Sequence, residues 1–274
     1  MSLETIVIRR PRTAKPLPIL VNIPHTGTRI PNELSQNFAS RMMGDLPMTD
    51  WHLESLYDFL PDMGITMVHN VFNRVVVDLN RPAEGDIQHQ AAFQTGLVPL
   101  ETFDGDRIWK TDPTADEVRM RINTYYVPYH QALRSLVSEM LTQHETLYFI
   151  DAHSINGHAC KTHPDLKMDV YLGNQNGKTC GDVFMNLVED QFKKFRYHTA
   201  QNDFFDGGYT TALYGANPRI EAMQIEMRQR MYMEEGNPYD ALYKPQFSQT
   251  KQDITDMFDM LVTDMRHGGL LPQG

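Results

Sequence analysis

The sequence is poor in the features that mark secreted, membrane-spanning and nucleic-acid-binding proteins. It has two cysteines in 274 residues, Cys160 and Cys180, which are too few for a disulfide scaffold and indicate a reducing compartment. No apolar run approaches the ~18 residues of a membrane span, and residues 1–14 lack the apolar core of a signal peptide. The net charge of −10 argues against nucleic acid or an anionic membrane as the main partner. We therefore expect a cytoplasmic protein that binds neither.

The composition and the periodic patterns of the chain indicate a globular α/β protein. Hydrophobic residues make up 41% of the sequence and charged residues 22%, which permits a full core. Strand-like apolar runs alternate with helical patterns, so we expect a mixed, mostly parallel central sheet with helices on both faces. We expect one domain over residues 1–274, with a loose or edge segment at 1–16. The predicted strands are 17–23, 65–69, 72–78, 146–150, 168–172 and 220–227, and the main predicted helices are 116–144 (broken at Pro128), 181–195 and 249–266.

The segment 72–82, FNRVVVDLNRP, joins a buried pattern to charged and hydrogen-bonding ends. Its three consecutive valines predict a buried strand, which would carry Asp78, Asn80 and Arg81 to the carboxyl end of the sheet. Open α/β sheets bind their ligands at that end. Arginine forms bidentate pairs with carboxylates and asparagine adds a directed donor, so the segment suits an anionic substrate. The alternative is that an Asp–Arg pair closes a turn here.

Four further polar side chains stand at or near the predicted ends of strands or the start of a helix. They are His25, Asp50, His153 and Glu226. Asp151 lies two residues before His153, so strand alternation puts both on one face, where a carboxylate beside a metal-binding imidazole is common.

A zinc hydrolase needs three nitrogen or oxygen ligands, an open position and a separate carboxylate that serves as general base. His25, His153 and one acid would form such a ligand set, and Glu226 would be the base. Arg74 would then stabilise the oxyanion, while Asn80 and Arg81 would bind the carboxylate of the substrate.

These motifs together resemble the N-formylglutamate amidohydrolase family. The resemblance rests on VDLNRP with an upstream arginine, a strand-end histidine near the N-terminus, DAHS in mid-chain and QIEMR late, and it spans about residues 19–235. More distantly the chain is similar to aspartoacylase and succinylglutamate desuccinylase, which share a zinc-carboxypeptidase-like (zinc-exopeptidase) α/β fold. The resemblance implies a Zn²⁺ or Co²⁺ site with His25 and His153 as ligands, and a role in histidine breakdown.

The third protein ligand is where the sequence departs from the aspartoacylase pattern. Those relatives have H-x-x-E at the first metal motif, but His25 has no glutamate three residues later. Asp50 is our prediction, because TDWHLESLYDF resembles the acidic helix start of the formylglutamate family. Glu54 is the alternative ligand, and Asp50 would otherwise be an ordinary helix N-cap. A zinc knuckle made by His153, His158, Cys160 and His163 is a weaker possibility, because the spacing lacks a paired C-x-x-C.

The sequence therefore predicts a metal-dependent amidohydrolase that acts on a small anionic N-acyl amino acid, N-formyl-L-glutamate by family analogy. Glu226 and Arg74 are the predicted catalytic residues. Besides Asn80 and Arg81, we expect Asp78 and Arg228 at the substrate. Two alternatives are open: a deacylase or carboxypeptidase for another N-acyl amino acid or short peptide, and a metal-free dicarboxylate-binding protein.

Overall fold

A seven-stranded mixed sheet forms the centre of the computed structural model, which describes residues 4–83, 96–157, 166–235 and 237–272. The strand order is β1-β3-β2-β4-β7-β5-β6. The β1–β3 and β5–β7 pairs are antiparallel, and the other four neighbours are parallel. This confirms the predicted mixed, mostly parallel sheet. The strands are β1 (Ile6–Arg9), β2 (Ile19–Ile23), β3 (Thr66–Asn70), β4 (Leu147–Ile155), β5 (Val170–Gly173), β6 (Thr199–Gln201) and β7 (Ile220–Arg228).

Helices cover both faces of this sheet, as the sequence predicts. A large apolar cluster joins one face to α2, α5 and α7, and a second cluster joins the other face to α4 and α6. No helix within the described ranges is long and apolar enough to cross a membrane. The helices are α1 (Asn32–Ser35), α2 (Leu53–Leu56), α3 (Ala115–Arg121), α4 (Val127–Gln143), α5 (Asp182–Lys194), α6 (Tyr209–Gly215) and α7 (Pro245–His267).

The predicted break at Pro128 is confirmed. A π-helical turn, Ile122–Tyr126, joins α3 to α4, and Pro128 lies in the first turn of α4. Proline has no N–H to donate to the preceding turn, so the regular α-helical ladder is interrupted next to it.

The second face of the sheet changes from apolar to polar along three adjacent parallel strands. Side chains alternate in a strand, and the register fixes which residues lie side by side. The apolar row deep in the sheet is Leu20, Phe149 and Ala222; the next polar row is Asn22, Asp151 and Gln224; beyond it come His153 and Glu226. The carboxyl ends of β2, β4 and β7 therefore bring polar side chains to one place.

The predicted strand 72–78 is wrong, because this segment is a buried turn. Asn73 accepts the N–H of Val75 on its side chain (3.1 Å) and the N–H of Val76 on its carbonyl (3.0 Å). The buried guanidinium of Arg121 donates to the carbonyl of Val76 (3.2 Å). These partners replace a sheet ladder, so the valines are buried without a strand. The structure instead contains the alternative, a turn closed by the ion pair between Arg74 and Asp78.

The two edges of the sheet differ in how far they were predicted. The N-terminal segment, expected to be loose or an edge segment, supplies the edge strand β1, whereas β6 forms the opposite edge without having been predicted. The zinc-knuckle alternative cannot be compared, because His158, Cys160 and His163 lie outside the described residues.

Candidate active site

His25, Asp50 and His153 lie together at the carboxyl edge of the sheet. One ligand atom from each residue lies within 4.8 Å of the other two, and all three side chains are buried. The imidazole centroids are 4.9 Å apart. Asp50 Oδ2 lies 3.2 Å from Nδ1 of His153 and 3.8 Å from Nδ1 of His25. Both histidines thus point the same ring nitrogen at one carboxylate.

Backbone contacts fix Asp50 in this position. Its N–H donates to the carbonyl of His25 (3.1 Å), and its Oδ2 accepts the N–H of Ser154 on β4 (3.2 Å). Helix α2 begins only at Leu53, and the residues that the structure describes give it no side-chain cap. The interpretation of Asp50 as an ordinary N-cap is therefore wrong, because its carboxylate faces the two histidines instead.

His25 is held from behind by an ion-paired carboxylate. Its Nε2 lies 2.6 Å from Oδ1 of Asp78, whose Oδ2 accepts from Nη2 of Arg74 (2.6 Å). Burial of Asp78 would raise the pKa of its carboxyl, but Arg74 and His25 outweigh this and hold the pKa well below its usual range. Burial, and then the charge of Arg74, lower the pKa of His25.

His153 is held by a carboxylate that neutral groups surround. Its Nε2 lies 3.2 Å from Oδ2 of Asp151. Burial would lower the pKa of His153, but Asp151 and then Asp50 outweigh it and raise this pKa well above its ordinary value. The other donors to Asp151 are Nδ2 of Asn22 (2.8 Å), the hydroxyl of Thr210 and the hydroxyl of Thr211 (3.4 Å).

The chemistry of this cluster fits a divalent metal. Nδ1 of His25 is buried and has no hydrogen-bond partner among the described residues, so a polar atom is left facing the other two side chains. Each histidine has its Nε2 next to a carboxylate, an arrangement typical of metal-binding histidines, and both Nδ1 atoms face the Asp50 carboxylate. Two imidazole nitrogens and one carboxylate oxygen form a donor set that suits Zn²⁺ or Co²⁺.

Glu226 lies beside this cluster on β7, in register with His153 on β4. Its carboxylate accepts from Nε2 of Gln224 (3.0 Å). Burial raises the pKa of Glu226 to about 8, with a further increase from Asp50, against the opposing charges of His153 and Arg74. Such a raised pKa puts the carboxyl near the range where a side chain both takes and returns a proton at neutral pH.

The cluster and Glu226 open into one cleft, which encloses about 900 Å³ including its solvent-open part. Arg74, Asn80 and Arg81 line it, and the Arg74 guanidinium lies over the ring of Phe103 (5.1 Å to the centroid). Residues 204–208 also line it. Two arginines thus place cationic groups in this cleft of an acidic protein.

Three of the residues singled out in the sequence lie elsewhere than expected. Asp78 is fully buried behind His25 and is not among the described residues that line the cleft. Arg228 is also absent from that lining, and its Nη1 donates to the carbonyl of Leu166 (3.0 Å). Glu54, the alternative metal ligand, accepts from the hydroxyl of Thr26 and is not part of the cluster.

Several residues of the site were missed in the sequence. Gln224 has a detectable signal, because strand alternation places it on the same face as Glu226. Thr210 and Asn22 reach Asp151 from distant parts of the chain, and no local pattern marks them. Phe103 lies in a long segment without periodicity, so its place in the cleft is visible only in the folded chain.

The fold and the site together define a class: an α/β protein with a buried His–Asp–His cluster and an adjacent carboxylate at the carboxyl edge of its sheet. A family model described as N-formylglutamate amidohydrolase matches residues 17–233. The chain belongs to the N-formylglutamate amidohydrolase family, and the resemblance seen in the sequence is confirmed.

Two curated relatives are similar along most of their length. N-formylglutamate deformylase of Pseudomonas putida is 32% identical over 242 residues, covering 87% of this chain and 89% of the relative. N-formylglutamate deformylase of Pseudomonas aeruginosa is 30% identical over 227 residues, covering 81% and 85%.

Two solved structures have the same fold. The crystal structure of N-formylglutamate amidohydrolase from Ralstonia eutropha JMP134 superposes with a TM-score of 0.84 at 28% identity, covering 97% of this chain and all of that one. The structure of gene product Atu2144 from Agrobacterium tumefaciens has a TM-score of 0.73 at 16% identity over 96% of both chains, which shows the fold alone.

Proposed function

We propose that this protein hydrolyses the amide bond of N-formyl-L-glutamate, releasing L-glutamate and formate, with a divalent metal held by His25, Asp50 and His153. The observation that carries the proposal is the buried two-imidazole, one-carboxylate cluster that shares a cleft with Glu226 and two arginines. The names of the curated relatives support the substrate. We also propose a cytoplasmic location, as the composition predicts, and a part in histidine breakdown, as the family resemblance implies.

His25, Asp50 and His153 would hold the metal. A Zn²⁺ or Co²⁺ ion there would supply Lewis acidity, which favours negative charge on a nearby oxygen. The protein's own part is to fix the donors. Asp78 and Asp151 hold the two imidazoles from behind, and Ser154 holds the carboxylate.

Glu226 handles the proton in the reaction. It takes a proton from the attacking water while the water oxygen bonds to the formyl carbon, and the C–N bond then breaks as Glu226 gives that proton to the leaving nitrogen. The products are formate and the free amino group of glutamate. The raised pKa of Glu226, near 8, suits a group that must both accept and return a proton.

The arginines supply positive charge that attracts the anionic substrate. Arg74 lines the cleft and stabilises the oxyanion that forms at the formyl carbon. Asn80 and Arg81 also line the cleft and bind the substrate carboxylates. The Arg81 side chain is directed by its own turn, since Nη1 donates to the carbonyl of Asn80 (2.8 Å).

The test is to measure formate release from N-formyl-L-glutamate by the purified full chain with added Zn²⁺ or Co²⁺. We expect turnover by the wild type and a loss on the order of 10³-fold in kcat for Glu226→Gln, with metal content unchanged. N-acetyl- and N-succinyl-glutamate are assayed in parallel. Preferential release of acetate, succinate or an amino acid would show that the substrate is not the formyl derivative. A fully active Glu226→Gln protein would show that Glu226 is not the base.

A further inference from the structure

Gln224 is a buried polar residue of the cleft that the proposed reaction leaves without a role. It is 6% exposed and lies on β7 two residues before Glu226. Its Oε1 accepts the backbone N–H of Gly208 (2.7 Å), and its Nε2 donates to Oε2 of Glu226 (3.0 Å). Because a backbone N–H must meet the oxygen, the amide has only one orientation, and its NH₂ group faces the glutamate.

The other end of this link is a fixed piece of backbone. Gly208 precedes helix α6, which has no capping side chain of its own. Gln224 accepts the N–H of Gly208, and Oδ1 of Asn80 accepts the N–H of Thr210 (2.8 Å). A Cβ on Gly208 would lie 2.4 Å from Nδ2 of Asn80, so the backbone packs directly against that amide. Gln224 is therefore held by a rigid partner.

Glu226 depends on this link for its orientation. In the part of the chain that the structure describes, Gln224 makes the hydrogen bond to the Glu226 carboxylate, and no other is recorded for that group. A carboxylate that moves a proton between water and an amine must keep its lone pairs directed at the reacting atoms, and small displacements cost rate.

We propose that Gln224 is a positioning residue that holds the Glu226 carboxylate in its reactive orientation by connecting it to the backbone at Gly208. The inference rests on the proposed role of Glu226 as the base. It predicts that loss of the Gln224 amide slows the chemical step and leaves substrate binding to Arg81 and Asn80 intact.

The first experiment replaces the amide by a side chain of similar length. For Gln224→Met we expect kcat for N-formyl-L-glutamate to fall on the order of tenfold, the lower range for losing a hydrogen bond to a charged group, with KM within about threefold. Gln191→Met is the matched control: Gln191 is also buried and bonds Asp264 (2.9 Å), away from the cleft. It should lose stability and keep kcat. A kcat for Gln224→Met within about twofold of the wild type overturns the proposal.

The second experiment asks whether Gln224 acts through Glu226. In Glu226→Asp the carboxylate is one methylene shorter and withdraws from the Gln224 amide, so adding Gln224→Met should lower kcat by less than about threefold more. An equal loss in both backgrounds would show an independent role and overturn the proposal. Gln224→Glu is the second variant; in its ionised form it keeps an acceptor for Gly208 but has no donor for Glu226, so it should also lose kcat.

Thermal unfolding and metal content are measured for every variant. If both Gln224 variants lose the fold or the metal, Gln224 supports the structure as a whole and the proposal is wrong. An inactive wild type would refute the proposed function, and this inference with it. An active wild type with an indifferent Gln224 would refute this inference alone.

Discussion

The two histidines of the cluster are held by carboxylates in opposite electrostatic settings. Asp78, behind His25, is paired with the buried guanidinium of Arg74. Asp151, behind His153, takes its other described hydrogen bonds from neutral amide and hydroxyl groups. The pKa of His25 is lowered by burial and by Arg74, whereas that of His153 is raised, since Asp151 and Asp50 outweigh its burial.

Because of this difference, the two carboxylates have different roles in the cluster. On the His25 side, one ion pair joins the cluster to Arg74, which also lines the substrate cleft. On the His153 side, no arginine is paired with Asp151 in the described part of the chain, and the negative charge of Asp151 raises the pKa of the His153 imidazole. The same Asp→Asn substitution should therefore have unequal consequences at the two positions.

The largest effect is expected for Asp78→Asn. The substitution leaves the buried Arg74 cation without its anion and also weakens the hold on His25. Breaking a buried pair in this way costs about 3–5 kcal/mol of unfolding free energy, measurable by urea denaturation. The control is Asp62→Asn, which removes an exposed pair with Arg12 and should cost less than about 1 kcal/mol. Similar small losses for both variants would mean that Asp78 and Arg74 are not the support we describe.

The next effect is a pH dependence of the unfolding free energy, and it arises at His130, which contacts the residue after Asp78. His130 on α4 is buried next to the carbonyl of Leu79 (3.0 Å), and burial lowers its pKa to about 4. The unfolded histidine, with a pKa of about 6.5, binds more protons between these values, so stability falls as the pH drops from about 6.5 to 4. The shift corresponds to about 3 kcal/mol.

The matched variant for this effect is His130→Gln, which keeps a donor for the carbonyl of Leu79 but does not titrate. Unfolding free energies of wild type and variant are compared at pH 7 and pH 4. The wild type should lose about 3 kcal/mol more than the variant over this range. Parallel stability curves would show that His130 is not buried in its neutral form.

A smaller effect is expected for Asp151→Asn. Asp50 remains beside the His153 imidazole in this variant, and the other described donors to Asp151 are neutral, so the fold should lose less stability than in Asp78→Asn. Loss of the carboxylate behind His153 should weaken metal binding about 10–100-fold, as measured by competition with a chelator. Asp169→Asn, which affects a pair with Arg230 outside the cluster, should bind metal normally. Unchanged metal affinity for Asp151→Asn would contradict the role given to Asp151.

The smallest effect is expected at Tyr129, which reaches Asp151 only through Asn22. The hydroxyl of Tyr129 donates to Oδ1 of Asn22 (2.6 Å), and Asn22 in turn donates to Asp151. Tyr129→Phe should cost about 1 kcal/mol of unfolding free energy and change metal affinity by less than about threefold. A tenfold loss of metal affinity would mean that this chain of hydrogen bonds governs the cluster more directly than we infer.

The sequence predicts those parts of the fold and site that rest on short-range patterns. The apolar run that becomes β2 and the alternation that becomes β7 locate the strands, and with them His25 and Glu226. The alternation also predicts that Asp151 and His153 share a face, which the 3.2 Å contact confirms. These features need no information from distant parts of the chain.

What a local pattern does not decide has a common physical cause, which is that the partners lie far away in the sequence. The valines at 75–77 fit a strand by composition, yet Arg121 bonds the carbonyl of Val76 from 45 residues further on and stabilises a turn. Asp50 was predicted as a metal ligand with a helix cap as the alternative, and only its contact with the N–H of Ser154, 104 residues away, decides between them. Gly208, the partner of Gln224, is equally invisible to a local pattern.

The most direct test of the account is Co²⁺ titration of the metal-free full chain, followed by visible absorption. We predict one equivalent of Co²⁺ per chain with the absorption of a nitrogen- and oxygen-bound ion, and loss of that absorption in His25→Ala, Asp50→Ala and His153→Ala. Folding of each variant is checked by circular dichroism. Retention of one tightly bound Co²⁺ with an unchanged spectrum in the folded variants would contradict the claim that these residues form the metal centre.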